Sequence, residues 1–472
     1  MKITSGFVCA LWLAALMPSP RADAGASCRD VAKLALPNAT ITRAEDDASG
    51  GFCRVAATLK PSNDSDIKIE VWLPAAGWNG KLLAVGNGAF TGSIAERAMT
   101  QAMARGYATA STDTGHSGGS GSFGLDHPEK VIDFGWRSVH EMTIAAKKIV
   151  AARYATPPKH SFWNGCSAGG RQAMKEAQRF PSDFDGIIAG APGLNWTGRA
   201  AQALRVAKTL ESNEAARLSK EARERLHRAV LDKCDTLDGV KDGVIENPKR
   251  CSFDPAIQGL TPAQVATARL IYASGLQPGS EPGWTDLGWT ASARATGLDQ
   301  FRFLVFADPK WETQSFDFDT DLARAENADA DTINALDPDL RPFIDRGGKL
   351  IQYHGWSDPQ ISPVNSTDYY ARVVERVGGE KAANTLSDGY RLFMAPGMGH
   401  CGGGEGPDRF DMVGALEDWV ERGKAPDRIV ASRVVDGRVE RTRPLCPYPQ
   451  VAAYKGSGST DEAVNFVCST QE

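Results

Sequence analysis

Between residues 66 and 113 the apolar positions change period twice. In IKIEVWLP (67–74), Ile67, Ile69 and Val71 alternate with Lys68 and Glu70 before an apolar end, and KLLAVGNG (81–88) is a short apolar run ending in glycines. Both predict strands. ERAMTQAMARG (96–106) has helical spacing and a glycine stop at Gly106, and YATASTD (107–113) returns to an extended pattern. The alternation continues with a helix in HEMTIAAKKIVAARY (140–154), a strand in HSFWNG (160–165), a helix in SAGGRQAMKEAQRF (167–180) and a strand in FDGIIAGAPG (184–193). Strands separated by helices of this length predict an α/β class with a mostly parallel sheet covered on both faces.

After Pro192 the pattern changes. Residues 196–335 hold charged helical stretches such as EAARLSKEARERLHRAV, an Asp/Gly-rich loop, and a segment carrying Trp284, Trp289, Phe301, Phe303, Phe306 and Trp311. The strand pattern resumes in KLIQYHGWSDP (349–359), followed by a helix through YYARVVERVGG and by YRLFMAPGMGHCGGG (390–404). One core made of residues 25–195 and 336–472, interrupted by an inserted cap over 196–335, accounts for this order with short connections. The cap's aromatic residues suit stacking on a planar acyl group, and equally a core of the cap's own, so substrate contacts are not assigned.

The first 24 residues begin with Lys2, run apolar from Phe7 to Met17 and end in Ala22-Asp23-Ala24. They read as a secretory signal peptide cleaved near Ala24. The apolar run is about half of the roughly 20 residues that span a bilayer, so export rather than membrane anchoring is expected. Composition adds little: 472 residues, 42% hydrophobic, 24% charged and a net charge of −5 describe a globular chain. They argue against a nucleic-acid or polybasic membrane partner. Loss of the leader removes Cys9 and leaves Cys28, Cys53, Cys166, Cys234, Cys251, Cys401, Cys446 and Cys468. An even count in an exported chain predicts four disulfides, whose pairing the count alone does not give.

Chemistry enters at NGCSAGGR (164–171). Gly165-Cys166-Ser167-Ala168-Gly169 matches G-x-S-x-G between a predicted strand and a predicted helix, the setting of a nucleophile elbow. A serine needs a base and an orienting acid, which in this architecture follow later strands in the order acid, then histidine. HGWSDP places Asp358 and GMGHC places His400 there, with Asp368, Asp388 and Asp411 as rival acids. Cys166 precedes the serine and Cys401 follows the histidine. Contact between Ser167 and His400 would bring these cysteines within bonding range; two buried free thiols are the alternative, less suited to an exported protein. For the oxyanion, one donor is expected from the N–H of Ala168 and a second from AVGNGAF, where Gly88 is preferred and Gly86 is the rival.

In CDTLDGVKDGV (234–244), three aspartates within eight residues and two glycines make a loop rich in hard oxygen ligands. Ca²⁺ and a plain polar turn both suit it, and the spacing is not that of an EF-hand.

GCSAGG, HGWSDP and GMGHC together resemble the tannase and feruloyl esterase family, as do STDTGHSG (111–118), FRFLVFADPKW (301–311) and RPLCPYPQVAAYKGSG (443–458). The resemblance covers nearly all of the mature chain. It implies an α/β-hydrolase fold with a large lid, and Ser167, Asp358 and His400 as the triad with Cys166 bonded to Cys401. It implies no organic cofactor and a structural Ca²⁺ held by Asp235, Asp238 and Asp242 and the backbone oxygens of Val240 and Val244. The pairs Cys28–Cys53, Cys234–Cys251 and Cys446–Cys468 follow from the family and from proximity. The implied activity is hydrolysis of small aromatic acid esters, free or attached to plant polysaccharide or polyphenol, by a secreted or periplasmic protein. Feruloyl esters are the first expectation. Gallate esters and mono(2-hydroxyethyl) terephthalate are the alternatives, and a catalytically silent relative or a secreted binding protein is the non-enzymatic one.

Overall fold

A computed structural model describes residue 1, residues 25–378 and residues 386–470. Beyond Met1, the leader lies outside the described residues. Nine strands form one sheet: β1 (Ala39–Asp46), β2 (Phe52–Leu59), β3 (Ile67–Pro74), β4 (Lys81–Val85), β5 (Ala108–Thr112), β6 (His160–Cys166), β7 (Gly186–Gly190), β8 (Lys349–Gly355) and β9 (Tyr390–Ala395). Their order is β1-β2-β3-β5-β4-β6-β7-β8-β9. The pairs from β1 to β3 and β3 with β5 are antiparallel, and every pair from β5 through β9 is parallel.

The side-chain period of two divides these strands between two cores. Leu82, Trp163, Ile187 and Leu350 face one, where the helices Ser138–Tyr154, Ala168–Arg179 and Val364–Val377 bury Met142, Ile149, Met174 and Val373. Their chain neighbours Leu83, Phe162, Ile188 and Ile351 face the other, closed by Ala102 of the helix Glu96–Met103 and by Leu416 and Trp419 of the helix Met412–Arg422. Burial on both faces explains why β4 and β7 read as unbroken apolar runs rather than as alternation.

Between Gly190 and Lys349 the chain forms helices and turns and no strand. This inserted region has interiors of its own. Trp284 and Trp289 pack with Leu210, Leu226 and Ile271, and Phe301 packs with Leu204 and Phe316. The aromatic residues that the sequence left open between substrate stacking and core packing therefore divide: Trp284, Trp289 and Phe301 are core. After β9 the chain adds two hairpins, β10 (Ile429–Val435) with β11 (Arg438–Leu445) and β12 (Val451–Tyr454) with β13 (Phe466–Ser469). Among the described residues four disulfides form, Cys28–Cys53, Cys166–Cys401, Cys234–Cys251 and Cys446–Cys468. No described helix is long and apolar enough to cross a membrane.

Candidate active site

The carboxyl ends of β4, β6, β8 and β9 converge on one site. Ser167 stands between β6 and the helix Ala168–Arg179 with φ 64° and ψ −120°. A non-glycine residue in this region is strained, and the surroundings explain how it is held. A Cβ on Gly165 would stand 2.5 Å from the Gly169 backbone, and one on Gly169 would stand 3.1 Å from the Cα of Gly86. Strand, elbow and helix are thus packed backbone to backbone, and the glycines of the motif are steric requirements. Trp163 Nε1 donates to Gly169 O at 3.0 Å from within the core. The Ser167 hydroxyl makes no hydrogen bond among the described residues, so its proton is committed to no other acceptor.

Asp358 follows β8 and is fully buried. Its Oδ2 accepts from His400 Nδ1 at 2.7 Å. Its Oδ1 accepts from the backbone N–H of Gln360 at 2.7 Å and of Ile361 at 3.0 Å. Burial opposes the charge on this carboxylate, but His400 and His354 beside it carry its carboxyl well below the usual range. Of the rival acids, Asp411 pairs instead with Arg105. With Nδ1 engaged by Asp358, His400 has Nε2 left for a substrate or a hydroxyl.

One site residue was not assigned from the sequence. His354, within β8 and fully buried, meets Asp358 Oδ2 through Nε2 at 3.1 Å. Tyr390 donates to Gln352 Oε1 at 2.6 Å, Gln352 Nε2 donates to Ser366 Oγ at 2.7 Å, and Ser366 lies 2.7 Å from His354 Nδ1. This order leaves the Ser366 proton for Nδ1 and fixes the His354 tautomer with its proton on Nε2, aimed at Asp358. The available signal was HGWSD, which places His354 four residues before the acid at a strand end.

The disulfide carries the base loop to the elbow: Cys166 and Cys401 have Cα atoms 6.0 Å apart, which seats the loop holding His400 against the turn holding Ser167. Backbone hydrogen bonds also separate the two candidate oxyanion donors after β4. Gly86 N–H is used by Asn164 O at 3.1 Å and Asn87 N–H by Gln172 Oε1 at 3.2 Å, whereas Gly88 N–H meets no protein acceptor among the described residues. Ala168 N–H, at the open first turn of its helix, is likewise unpaired, while Gly169 N–H goes to Asn87 O at 2.8 Å. Ala168 also borders an apolar cluster of Phe90, Phe134, Trp196 and Ile333.

A cavity of about 360 Å³ lies beside His400, between Gly279, Pro282 and Gly283 of the inserted region, Pro359, and Glu405. A larger one of about 630 Å³, lined by Tyr390, Arg391 and Tyr448, sits at the start of β9 and touches none of Ser167, Asp358 or His400.

In the Asp/Gly-rich loop, Asp235 accepts from the N–H of Asp242 and Gly243, and Asp242 is paired with Arg443. Burial, with Asp242 and Asp235 nearby, pushes the Asp238 carboxyl up to about 6 against the hydrogen bond from Val240 N–H. Among the described residues no donor reaches the backbone oxygens of Val240 or Val244, both buried residues. Crowded carboxylates and free carbonyls are a donor set that fits a hard cation. The carboxylates are less tightly gathered than the side chains of His140, Glu176 and Asp183, whose ligand atoms lie within 4.8 Å of one another. In that cluster His140 Nδ1 and Asp183 Oδ2 already pair at 2.6 Å.

A sheet that is parallel from β5 through β9, with a serine elbow after one strand and a histidine–aspartate pair after the last two, defines an α/β-hydrolase. Within that class, the family model "Tannase and feruloyl esterase" matches residues 53–300 and 264–469, and the chain belongs to this family. It is 37% identical to an esterase of Xanthomonas campestris over 95% of this chain and 92% of the relative. It is 34% identical to a probable feruloyl esterase B-2 of Aspergillus terreus over 88% of this chain and 85% of the relative. The crystal structure of feruloyl esterase B from Aspergillus oryzae superposes with a TM-score of 0.85 at 29% identity, covering 94% of this chain and 100% of that one. The chain is therefore a carboxylic ester hydrolase of the feruloyl esterase and tannase type.

Proposed function

We propose that the protein hydrolyses esters of hydroxycinnamic acids through an acyl-enzyme on Ser167. The observation that carries this reading is the His400–Asp358 hydrogen bond on a loop disulfide-linked to the residue before Ser167. Ser167 Oγ attacks the ester carbonyl as His400 Nε2 takes its proton. The oxyanion forms against the N–H groups of Gly88 and Ala168, which no protein acceptor among the described residues occupies. His400 then protonates the departing alcohol, and water attacks the acyl-enzyme by the same route in reverse, releasing the acid and restoring the serine. Asp358 holds the imidazole tautomer and its transient charge. The feruloyl esterase relatives and the aromatic cluster beside Ala168 support an aromatic acyl group.

Residues 196–335 serve as the lid over this site, and four disulfides suit the oxidising compartment expected of a secreted or periplasmic protein. Asp235, Asp238, Asp242 and the carbonyls of Val240 and Val244 would hold a structural Ca²⁺. That ion would neutralise the crowded carboxylates and brace the lid loop closed by Cys234–Cys251.

The test is release of free acid from methyl ferulate, methyl gallate and mono(2-hydroxyethyl) terephthalate, with Ser167→Ala as control. Preference for ferulate with loss of turnover in the variant is expected. Preference for another member reassigns the acyl pocket, and no hydrolysis of any member by the calcium-loaded, disulfide-intact protein overturns the substrate assignment.

A further inference from the structure

The loop that carries His400 is cross-linked within itself by Gly399 N–H to Gly403 O at 3.0 Å and Glu405 N–H to Gly397 O at 2.9 Å, so it moves as a unit whose placement depends on what it is attached to. Residues 397–406 include Gly397, Gly399, Gly402, Gly403, Gly404 and Gly406, and both Gly403 (φ 70°) and Gly404 (φ 90°) occupy the left-handed region that glycine alone enters at little cost. Packing against the inserted region is incomplete, because the 360 Å³ cavity lies between them. The Cys166–Cys401 disulfide fixes one side of the loop, and Arg433 of β10 donates to Gly404 O at 2.8 Å on another.

A further attachment is ionic and comes from the lid. His227, on the helix Lys220–Cys234, is buried. Its Nδ1 meets Glu281 Oε2 at 2.9 Å and its Nε2 meets Glu405 Oε2 at 2.8 Å. Glu281 is fully buried and held in turn by the Tyr272 hydroxyl at 2.6 Å and by Gly279 N–H at 3.0 Å. With a carboxylate on each ring nitrogen, both nitrogens are donors and the imidazole is a cation, since a neutral ring has one N–H for two acceptors. The two carboxylates belong to different parts of the molecule: Glu281 to the lid, and Glu405 to the base loop five residues beyond His400.

We propose that His227 and Glu405 are positioning residues for the reaction, an ion-paired tether through which the lid holds the His400 loop in its working place. The tether rests on the reading of His400 as the base. It makes lid packing and base placement one cooperative unit, so loosening it lowers kcat more than it raises KM.

A chemical signature follows. Burial works against the His227 charge, but the hydrogen bonds that the ring donates to Glu281 and Glu405 outweigh it and push the imidazole up to about 9. Glu405 is correspondingly held below the usual carboxylate range by His227. The other ionisable groups around the tether are Tyr272, which faces Glu281, and Arg433, which lies near Glu405. On the helix of His227 itself, Arg223 is turned to Leu218 O and Glu224 to Lys220. Because the folded value lies above the unfolded value of about 6.5, the tether is fully present below that pH and is lost as pH rises through about 9.

The experiment measures kcat and KM from pH 6 to 10 for wild type, Glu405→Ala, Glu405→Gln and His227→Gln. It also follows the rate at which a fluorophosphonate labels Ser167 in each. Glu405 is half exposed, so its variants are expected to keep the wild-type melting behaviour. Expected for Glu405→Ala are a kcat at pH 7 lower by about tenfold or more with KM within about twofold, slower labelling, and no kcat step near pH 9. Glu405→Gln, which retains a hydrogen bond, falls between, and the His227→Gln and Glu405→Ala effects are not additive. Labelling and kcat of Glu405→Ala equal to wild type, with the alkaline step retained, overturns the tether while leaving the triad standing. A wild-type protein that turns over ester without labelling at Ser167 overturns the underlying reading and the tether with it.

Discussion

Asp358 is the residue on which the site turns, because it answers to two histidines at once. His400 and His354 both meet its Oδ2, His354 at the end of a hydrogen-bond line that starts at Tyr390, while Oδ1 is held by the backbone N–H groups of Gln360 and Ile361. Replacing Asp358 by Asn leaves the shape and reverses a hydrogen-bonding direction. The kcat is expected to fall by about ten-thousandfold with little change in KM, measured by steady-state hydrolysis of methyl ferulate. His354→Leu should act more mildly on rate but also on stability, with a loss of about 1–3 kcal/mol on urea unfolding, since Asp358 and Ser366 each lose a buried partner. The pH sense follows from the depressed Asp358 carboxyl. Its contribution to stability is present above the unfolded carboxylate value of about 4 and is lost as pH falls through the lower folded one. Ser167, Asp358 and His400 could be picked out from the sequence as candidates because each follows a predicted strand within a few residues of a glycine. His354 was not singled out, because a histidine inside a strand looks the same whether it fills space or orients an acid.

At the scale of elements, the elbow and the base loop act as one piece. A disulfide whose cysteines are 235 residues apart removes a large loop from the unfolded ensemble, worth about 5 kcal/mol in the chain-entropy model. The Cys166→Ser/Cys401→Ser double variant is expected to unfold at markedly lower urea and, at concentrations where it remains folded, to show reduced kcat. Wild-type kcat in the folded double variant would remove the disulfide from the positioning of His400. The parallel strands were predictable because burial on both faces makes them short apolar runs. The first two strands went unassigned although Cys53, Val55, Ala57 and Leu59 alternate inward along β2. In β1 the pattern is broken by a register shift between Ile41 and Arg43. The β10–β11 hairpin carried a usable signal, Asp436-Gly437 between valine-rich runs, with both residues at positive φ (50° and 77°). Its exposed, charged strands concealed the rest.

For the whole molecule, the question is what holds a large helical insertion that enters the chain between β7 and β8, two strands that pair directly in the sheet. It has its own cores, so Trp289→Ala is expected to destabilise by about 3–5 kcal/mol on chemical unfolding, as loss of a packed core tryptophan does. If the Asp235–Val244 loop holds Ca²⁺, chelation should lower the melting temperature and added Ca²⁺ should restore it. Asp238→Asn should blunt both responses, and a melting temperature indifferent to chelator and Ca²⁺ would exclude a stabilising ion. The insertion was legible as a change of pattern after Pro192, but its aromatic residues were not assignable, because a tryptophan that packs a core and one that stacks on a substrate have the same sequence signature. The most direct test of the central claim is intact-mass analysis with peptide mapping after rapid acid quench of a turnover mixture with methyl ferulate. The prediction is a single feruloyl adduct on the peptide containing Ser167, absent from Ser167→Ala. Continued hydrolysis by Ser167→Ala, or an adduct on another residue, would contradict it.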